Sequence, residues 1–243
     1  MLSDYFDEYS LNARIRPALL SLLPPTITVY IAFPALYEFA VGLLSLVLVF
    51  GLLTAMASYV RYRGRKLEQH LYKTWGGKPT TYILRQNNDV IDEVTKKRYY
   101  SYFESNIDSW QAPSLEVEAT AAEVADSYYE SAIKWLLERT RDKKKYSMIF
   151  KENIGYGFRR NCLGIKCHGF LLALFSVLFL SLIVVKPEFV KNQTDAVFIY
   201  AAITFSLIMA FWWLISVNQA WVKDSAESYA IRLLAACEQM KNT

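Results

Sequence analysis

Two long apolar stretches, residues 18–60 and 167–217, are the feature that most constrains what this chain can fold into. The first holds one acidic residue, Glu38, and no base, while a short polar segment from Lys186 to Asp195 interrupts the second. A helix needs roughly 20 apolar residues to cross about 30 Å of hydrocarbon. Each stretch is long enough for two spans, and we expect the first to turn near Tyr37, Glu38 and Gly42. We therefore predict an all-α, polytopic membrane protein whose four transmembrane helices form two hairpins.

The stretch between the hairpins is polar and basic. It contains 20 of the 27 Lys and Arg residues, against 14 Asp and Glu. Basic residues crowd its two edges, whereas the short hairpin turns carry only Lys186 and Lys191. Since Lys and Arg accumulate on the cytoplasmic side of membranes, we predict that residues 61–166 form a helical cytosolic domain and that both termini are cytoplasmic. The same basic edges attract anionic lipid.

The N-terminal segment, residues 1–17, is typical of an amphipathic lead-in at the membrane surface. It lacks the basic region and cleavage site of a signal peptide, so the first hairpin, residues 18–60, is expected to be retained. Pro24 and Pro25 lie in the first span of that hairpin. Because proline removes an amide donor, we expect this helix to be kinked or to begin near Pro25.

The C-terminal segment, residues 218–243, is expected to continue the last span as a cytosolic helix. Its apolar residues recur at three- and four-residue steps, which predicts an apolar stripe that needs a partner. That partner is either the central domain of the same subunit or further copies of the chain in an oligomeric stalk. The stripe consists of Val222, Ala226, Tyr229, Leu233, Cys237 and Met240.

Within the central domain, helical spacing and turn residues predict several helices. The second span continues to about Trp75 and ends at two glycines. Residues 78–84 form either a short helix or a strand, and we favour the helix because a lone strand would have no partner. Further helices are predicted over residues 90–109, capped by Asn87 to Asp89, and over residues 119–141.

Several basic residues are candidates for weak contacts to a ligand or anion. Gly76, Gly77 and Lys78 invite comparison with a phosphate-binding loop, but the earlier glycine of that motif is absent and a helix leads in. A helix cap explains these glycines better. The segment Lys96 to Tyr100 interleaves bases with aromatic rings, which suits stacking on a nucleic acid, although helix packing explains the tyrosines more simply. The candidate contacts are Gly76, Gly77, Lys78, Arg98, Lys144, Arg159 and Arg160.

The sequence offers no recognisable metal, cofactor or catalytic motif. Its three cysteines do not form a disulfide framework, and with His168 they lack metal-ligand spacing. No nucleophile elbow or Cys/His pair is recognisable. We therefore predict no metal, no cofactor and no enzyme activity. A membrane enzyme that depends on polar residues such as Asn153 or Asn161 remains an alternative.

Two segments carry a resemblance to known sequences. Residues Trp75 to Thr80 (WGGKPT) and Tyr156 to Asn161 (YGFRRN) resemble segments of uncharacterised bacterial inner-membrane proteins. The order of two hairpins around a cytosolic domain is similar in architecture to small membrane effectors of bacterial antiphage systems. The resemblance implies a multi-pass protein of the bacterial inner membrane and carries no site residues.

These observations lead to one functional hypothesis and one alternative. A four-span subunit must oligomerise to enclose a pore, so we expect a homo-oligomeric effector or channel-like protein. It would perturb the membrane in response to a cytosolic signal, such as a nucleotide, a nucleic acid or a soluble partner protein, in antiphage defence. The alternative is a membrane-anchored scaffold that recruits a soluble partner enzyme without forming a pore.

Overall fold

The computed structural model describes residues 7–33, 43–189 and 195–241, without the side chains of residues 43–50 and 189. Throughout these ranges every regular element is a helix, in agreement with the predicted all-α class. We number the longer helices α1 (Glu8–Ala32), α2 (Leu43–Trp75), α3 (Pro79–Tyr82), α4 (Glu93–Asn106), α5 (Leu115–Thr120), α6 (Ala122–Arg139), α7 (Ser147–Gly164), α8 (Lys166–Val185), α9 (Ala196–Ser216), α10 (Gln219–Leu234) and α11 (Ala236–Lys241). A 3₁₀ turn, Pro187–Phe189, follows α8.

Three helices, α1, α8 and α9, are long and apolar enough to cross a membrane. They account for the first and the last two of the predicted spans. The turn predicted for the first hairpin, near Tyr37 to Gly42, lies outside the described residues, and α2 begins at Leu43 immediately after it.

The chain divides into two compact units. Unit 1 comprises Met1–Leu67 and Gly157–Val222, and unit 2 comprises Glu68–Tyr156 and Lys223–Thr243. The three candidate spans all belong to unit 1, where α8 packs along both α1 and α9.

Two apolar clusters fix the helix directions in unit 1. One contains Ala18 of α1, Ala173 of α8 and Trp213 of α9, together with Val60 of α2. The other contains later residues of α1 and α8 and the first turns of α9, namely Ile31, Ala32, Leu180, Ile183, Ile199 and Ala202. Helices α1 and α8 therefore run parallel, and α9 runs antiparallel to both.

Helix α1 is continuous across the predicted boundary at residue 17 and runs through Pro24 and Pro25. The helix therefore begins well before Pro25. A π turn, Leu11–Ile15, lies inside it, and Asp7 caps its start by accepting a hydrogen bond from the Ser10 amide at 2.8 Å. The Thr28 hydroxyl donates to the Pro24 carbonyl at 2.9 Å, so this buried polar side chain has a partner within its own helix.

Unit 2 is built around aromatic rings. Phe103 of α4 is fully buried, with its ring 5.4 Å from that of Trp110 and 6.4 Å from that of Trp135. Tyr100 stacks on Tyr129 of α6 and donates a hydrogen bond to the Leu84 carbonyl. The tyrosines of α4 thus pack in the core of unit 2, which is the simpler of the two interpretations of the segment Lys96 to Tyr100.

Several helix bounds in unit 2 differ from the prediction. Helix α4 begins at Glu93, three residues later than predicted, because Asp92 rather than Asp89 caps it by accepting from the Thr95 amide at 2.8 Å. The predicted helix over residues 119–141 is two helices, α5 and α6, separated at Ala121, whose φ of −141° is not helical. The favoured short helix at residues 78–84 is present as α3, with Pro79 in its first turn.

The final span and the C-terminal helix are separate, contrary to the prediction. A π turn, Trp212–Ser216, ends α9, and Val217 is extended with ψ 92°, so α10 starts afresh at Gln219. Within unit 2, the apolar stripe of the C-terminal segment packs against other helices of the same chain. Leu233 and Cys237 are buried in the cluster that contains Phe103, which is the first of the two alternatives considered above.

Candidate functional site

The glycines once compared with a phosphate loop form a helix cap. Gly76 has φ +78° and Gly77 has φ +140°, and their amides donate back to the carbonyls of Lys73 (3.4 Å) and Tyr72 (2.8 Å). This is the Schellman arrangement that ends α2. Because both amides are used in the cap, they are not available to cradle an anion. The carbonyl of Gly76 also accepts from Arg85 at 2.9 Å.

The basic candidates of unit 2 lie in different elements. The Lys78 ammonium contacts Glu130 at 2.8 Å. Arg98 donates to Glu238 at 2.9 Å through its Nε. Lys144 is exposed in the turn before α7, where its backbone amide donates to Asp142 at 2.8 Å. The pKa of Asp142 is lowered by the amides of this turn. These candidates therefore have separate local roles and do not form one site.

Arg159 and Arg160, on α7 in unit 1, are anchored by neighbouring groups. Arg159 donates to the Trp221 carbonyl at 2.9 Å and lies over the Trp221 ring at 5.3 Å. Arg160 is buried and its guanidinium lies 3.4 Å from the Oδ1 of Asn161. Both arginines therefore contribute first to the packing of α7.

A cleft of about 470 Å³ in unit 1 is the best candidate for a ligand site. Three arginines line it: Arg14 from α1, and Arg61 and Arg65 from α2. Residues four apart share a helix face, which places Arg61 and Arg65 together opposite α1. Tyr62 stands at the exposed side, and Ser10 lies buried at the closed side.

The electrostatics of the cleft are dominated by positive charge. Partial burial first, and then the charges of Arg14 and Arg65, lower the pKa of Arg61, and Arg160 adds to the effect. The Tyr9 phenol opposes it. Over residues 7–33, 43–189 and 195–241, neither a salt bridge nor any other carboxylate contact involves the three cleft arginines. Guanidinium groups recognise carboxylates and phosphates.

The π turn of α1 adjoins the cleft. The Arg14 guanidinium donates to the Ser10 hydroxyl at 3.0 Å, one turn earlier. The Asn161 amide donates to the Ala13 carbonyl at 2.6 Å, so a buried side chain of α7 holds the π turn in place. Such π turns often occur at functional sites.

Close approaches between helices position α2 beside α7 in unit 1. A Cβ on Gly64 would lie 2.0 Å from Asn161 Oδ1, and a Cβ on Gly164 would lie 2.7 Å from the Gly64 amide nitrogen. A Cβ on Gly157 would lie 2.7 Å from the Tyr9 hydroxyl. Glycine is therefore required at Gly164, where a Cβ would meet backbone, while a Cβ at Gly64 would displace the buried Asn161 side chain. Asn161, first considered as a catalytic polar residue, has a structural role.

Sequence reasoning missed this cleft because it placed the three arginines in two different segments. Arg14 belongs to the N-terminal lead-in, residues 1–17, and Arg61 and Arg65 belong to the basic edge of residues 61–166. The four-residue spacing of Arg61 and Arg65 was the available signal. Their meeting with Arg14 depends on tertiary packing, which no local pattern reports.

The remaining reactive groups do not form a second site. Burial raises the pKa of the Cys162 thiol, and burial also raises that of Cys237 to about 12, so both thiols are held in the unreactive protonated form. Within the part of the chain that the structure describes, no cluster of three or more His, Cys, Asp or Glu residues could hold a metal ion.

Comparison with family models, with curated proteins and with solved structures gives no match to this chain.

Proposed function

We propose that the chain is an oligomeric effector of the bacterial inner membrane, in which unit 2 receives a cytosolic signal and the spans of unit 1 perturb the membrane. The observation that carries the proposal is the combination of three helices able to cross a membrane with a second, aromatic-cored unit. Such a unit offers a surface in water on which a signal or partner protein binds.

The helix directions support four spans with both termini in the cytoplasm. The start of α1, residue Val60 of α2, the start of α8 and the end of α9 all belong to one end of unit 1. Arg14, Arg61 and Lys166 lie close in sequence to that end, and basic residues favour the cytoplasmic side. The first half of α2 supplies the fourth span in this proposal, which completes the first hairpin.

Depolarisation in bacteria tests the effector function. Cells expressing the full chain are followed with a membrane-potential dye before and during phage infection. The control is Phe103→Ala, which disrupts the core of unit 2 while leaving the three candidate spans unaltered. We expect depolarisation on infection with the natural chain and a reduced response with the variant at equal membrane levels. The proposal fails if the natural chain depolarises no cells under any condition applied.

One observation favours the second candidate, a membrane-anchored scaffold. Several apolar side chains of unit 2 are exposed, including Leu115 (58%) and Val124 (50%). Exposed apolar groups that form a contiguous patch on a water-facing unit are typical of partner surfaces, whereas single ones are common on any protein. A photo-crosslinking residue at Val124, with Lys134 on the same helix as control site, tests this candidate. Stoichiometric capture of one soluble enzyme from Val124 alone, without depolarisation, would favour the scaffold.

A further inference from the structure

Three arginines, Arg14, Arg61 and Arg65, line the cleft of unit 1. Most buried or half-buried cations of this protein have a clear structural partner. Lys96, for example, is buried and donates to the carbonyls of Arg85 and Gln86. The guanidinium groups of Arg61 and Arg65, in contrast, form no hydrogen bond or salt bridge within the ranges that the structure describes.

The arrangement is unfavourable for the protein alone. Arg14, Arg61 and Arg65 converge on one cleft, and like charges brought together repel one another. The largest effect on the Arg61 pKa is burial, and the next two are the charges of Arg14 and Arg65, all of which lower it. An anion in the cleft would reverse this penalty.

The shape of the cleft also fits a small anionic group. Its volume of about 470 Å³ lies within the usual range of small-molecule sites, roughly 300–1,000 Å³. The Tyr62 side chain, 60% exposed, stands at the open side. The Ser10 side chain lies at the closed side within reach of Arg14. A planar guanidinium group donates two parallel hydrogen bonds to the oxygens of one phosphate, whereas an ammonium group does not.

We propose that the cleft lined by Arg14, Arg61 and Arg65 binds a phosphate group. The phosphate belongs either to the headgroup of an anionic phospholipid or to a soluble phosphate compound. The lipid source depends on the proposed membrane location of unit 1, whereas the soluble source does not. Neither source depends on pore formation, so a failure of the effector proposal leaves this site untouched.

Two double variants test the site at equal net charge. R14Q/R65Q removes two cleft arginines, and R16Q/K66Q removes two exposed cations from the same two helices. Among the described residues Arg16 donates only to Asn12, at 3.0 Å, and neither it nor Lys66 lines the cleft. The full-length protein is reconstituted in nanodiscs of phosphatidylcholine, with or without phosphatidylglycerol. Lipid retained by the protein is measured by native mass spectrometry. Inorganic pyrophosphate binding is measured separately in the discs of phosphatidylcholine alone.

We expect R14Q/R65Q to weaken binding of phosphatidylglycerol or pyrophosphate by about tenfold or more, since hydrogen bonds to charged groups contribute about 1.5–3 kcal/mol each. The control should remain within about twofold of the natural chain, because exposed charges contribute little to a local contact. Retention of phosphatidylglycerol identifies a lipid headgroup site, and binding of pyrophosphate identifies a soluble ligand. Equal losses in the two double variants, or no binding of either probe, would overturn the proposal.

A single variant protects the test against misfolding. Arg61→Gln removes a partly buried charge of the cleft without removing a hydrogen bond in the described residues. We expect its thermal unfolding midpoint without ligand to equal or exceed that of the natural chain, while the shift caused by the bound probe decreases. A lower midpoint together with an unchanged probe-dependent shift would contradict a binding role for Arg61.

Discussion

The interior of unit 1 and the interior of unit 2 are stabilised by different kinds of side chain. In unit 2, large rings are buried and polar groups pair across helices, as when Tyr82 donates to Glu227 and Tyr129 to Glu118, both at 2.6 Å. In unit 1, small residues let helices approach closely. Gly169 of α8 lies against the fully buried ring of Trp213 in α9.

This difference in packing follows from the different energetics of burying side chains in water and in lipid. In water, burying an aromatic side chain is strongly favourable, so an aromatic core stabilises unit 2. Between helices in lipid the hydrophobic effect contributes little, and association depends on close packing and on small residues. Two buried serines of unit 1 fit the same account, because Ser21 and Ser176 donate to carbonyls of their own helices.

The largest expected effect is the loss of an aromatic ring from unit 2. Phe103→Ala removes a fully buried side chain that contacts two tryptophans, and we expect it to lower the free energy of opening by about 3–5 kcal/mol. Hydrogen exchange of the full chain in detergent measures this loss by region. Exchange should accelerate in α4 and α6 but not in α8. The control is Val94→Ala on the same helix, where the side chain is 67% exposed. Equal acceleration in α8 would show that the two units do not open separately.

The next effect tests the close packing of unit 1. In Gly169→Ala, the new Cβ would lie 2.2 Å from Cε2 of the Trp213 ring, and the buried ring has little room to move. We expect a loss of about 1–3 kcal/mol, measured as faster exchange in α8 and α9. Gly51→Ala is the matched control, because a Cβ there meets no atom of the described residues within 4 Å. A neutral Gly169→Ala would mean that small residues are not essential to this helix pair.

The same contrast explains which features were predictable from sequence. Apolar length predicted α1, α8 and α9, because crossing a bilayer requires length and composition alone. The start of α4 was less accessible, since Asp89 and Asp92 are both able to cap a helix. Asp92 is the cap in the structure, and the buried ammonium of Lys96 binds the carbonyls of the preceding loop.

The cleft was inaccessible for a different reason. Arg14 and Arg61 are distant in sequence, and their proximity depends on contacts of the buried Asn161 with the π turn of α1 and with Gly64 of α2. A π turn carries no reliable sequence signal. Local sequence patterns therefore predicted the helices and the basic segments, but not which charged side chains lie close together in the fold.

An alkaline titration sharpens the comparison, because the buried tyrosines of unit 2 resist ionisation. Burial first, and then the nearby Glu238 and Cys237, raise the pKa of Tyr99 to about 12. In the unfolded chain the tyrosine pKa is about 10. The protonated Tyr99 phenol therefore makes its full contribution to the stability of the fold below about pH 10. This contribution is lost as the pH rises from about 10 to about 12.

Tyr99→Phe isolates this contribution, because the Tyr99 hydroxyl makes no hydrogen bond within the described chain. We expect the variant to match the natural chain at neutral pH. By about pH 11 the natural chain should have lost roughly 1 kcal/mol more than the variant. Denaturant unfolding followed by tryptophan fluorescence in detergent measures the difference. Parallel pH profiles for the two chains would show that Tyr99 ionises normally in the fold.

The smallest effect concerns the ion pair between Arg98 of α4 and Glu238 of α11, whose Nη2 and Oε1 atoms lie 2.8 Å apart. Both side chains are about half exposed, so solvent and salt screen their attraction. We expect Arg98→Gln to change the free energy of opening of α11 by less than about 1 kcal/mol, and by less still at high salt. Hydrogen exchange of the C-terminal peptides measures the change. Arg141→Gln is the control, since Arg141 is 74% exposed and pairs with Glu138, three residues away. If Arg98→Gln instead accelerated exchange throughout unit 2, a surface charge would stabilise that unit as much as the aromatic core does. The two units would then not differ through the buried aromatic rings of unit 2.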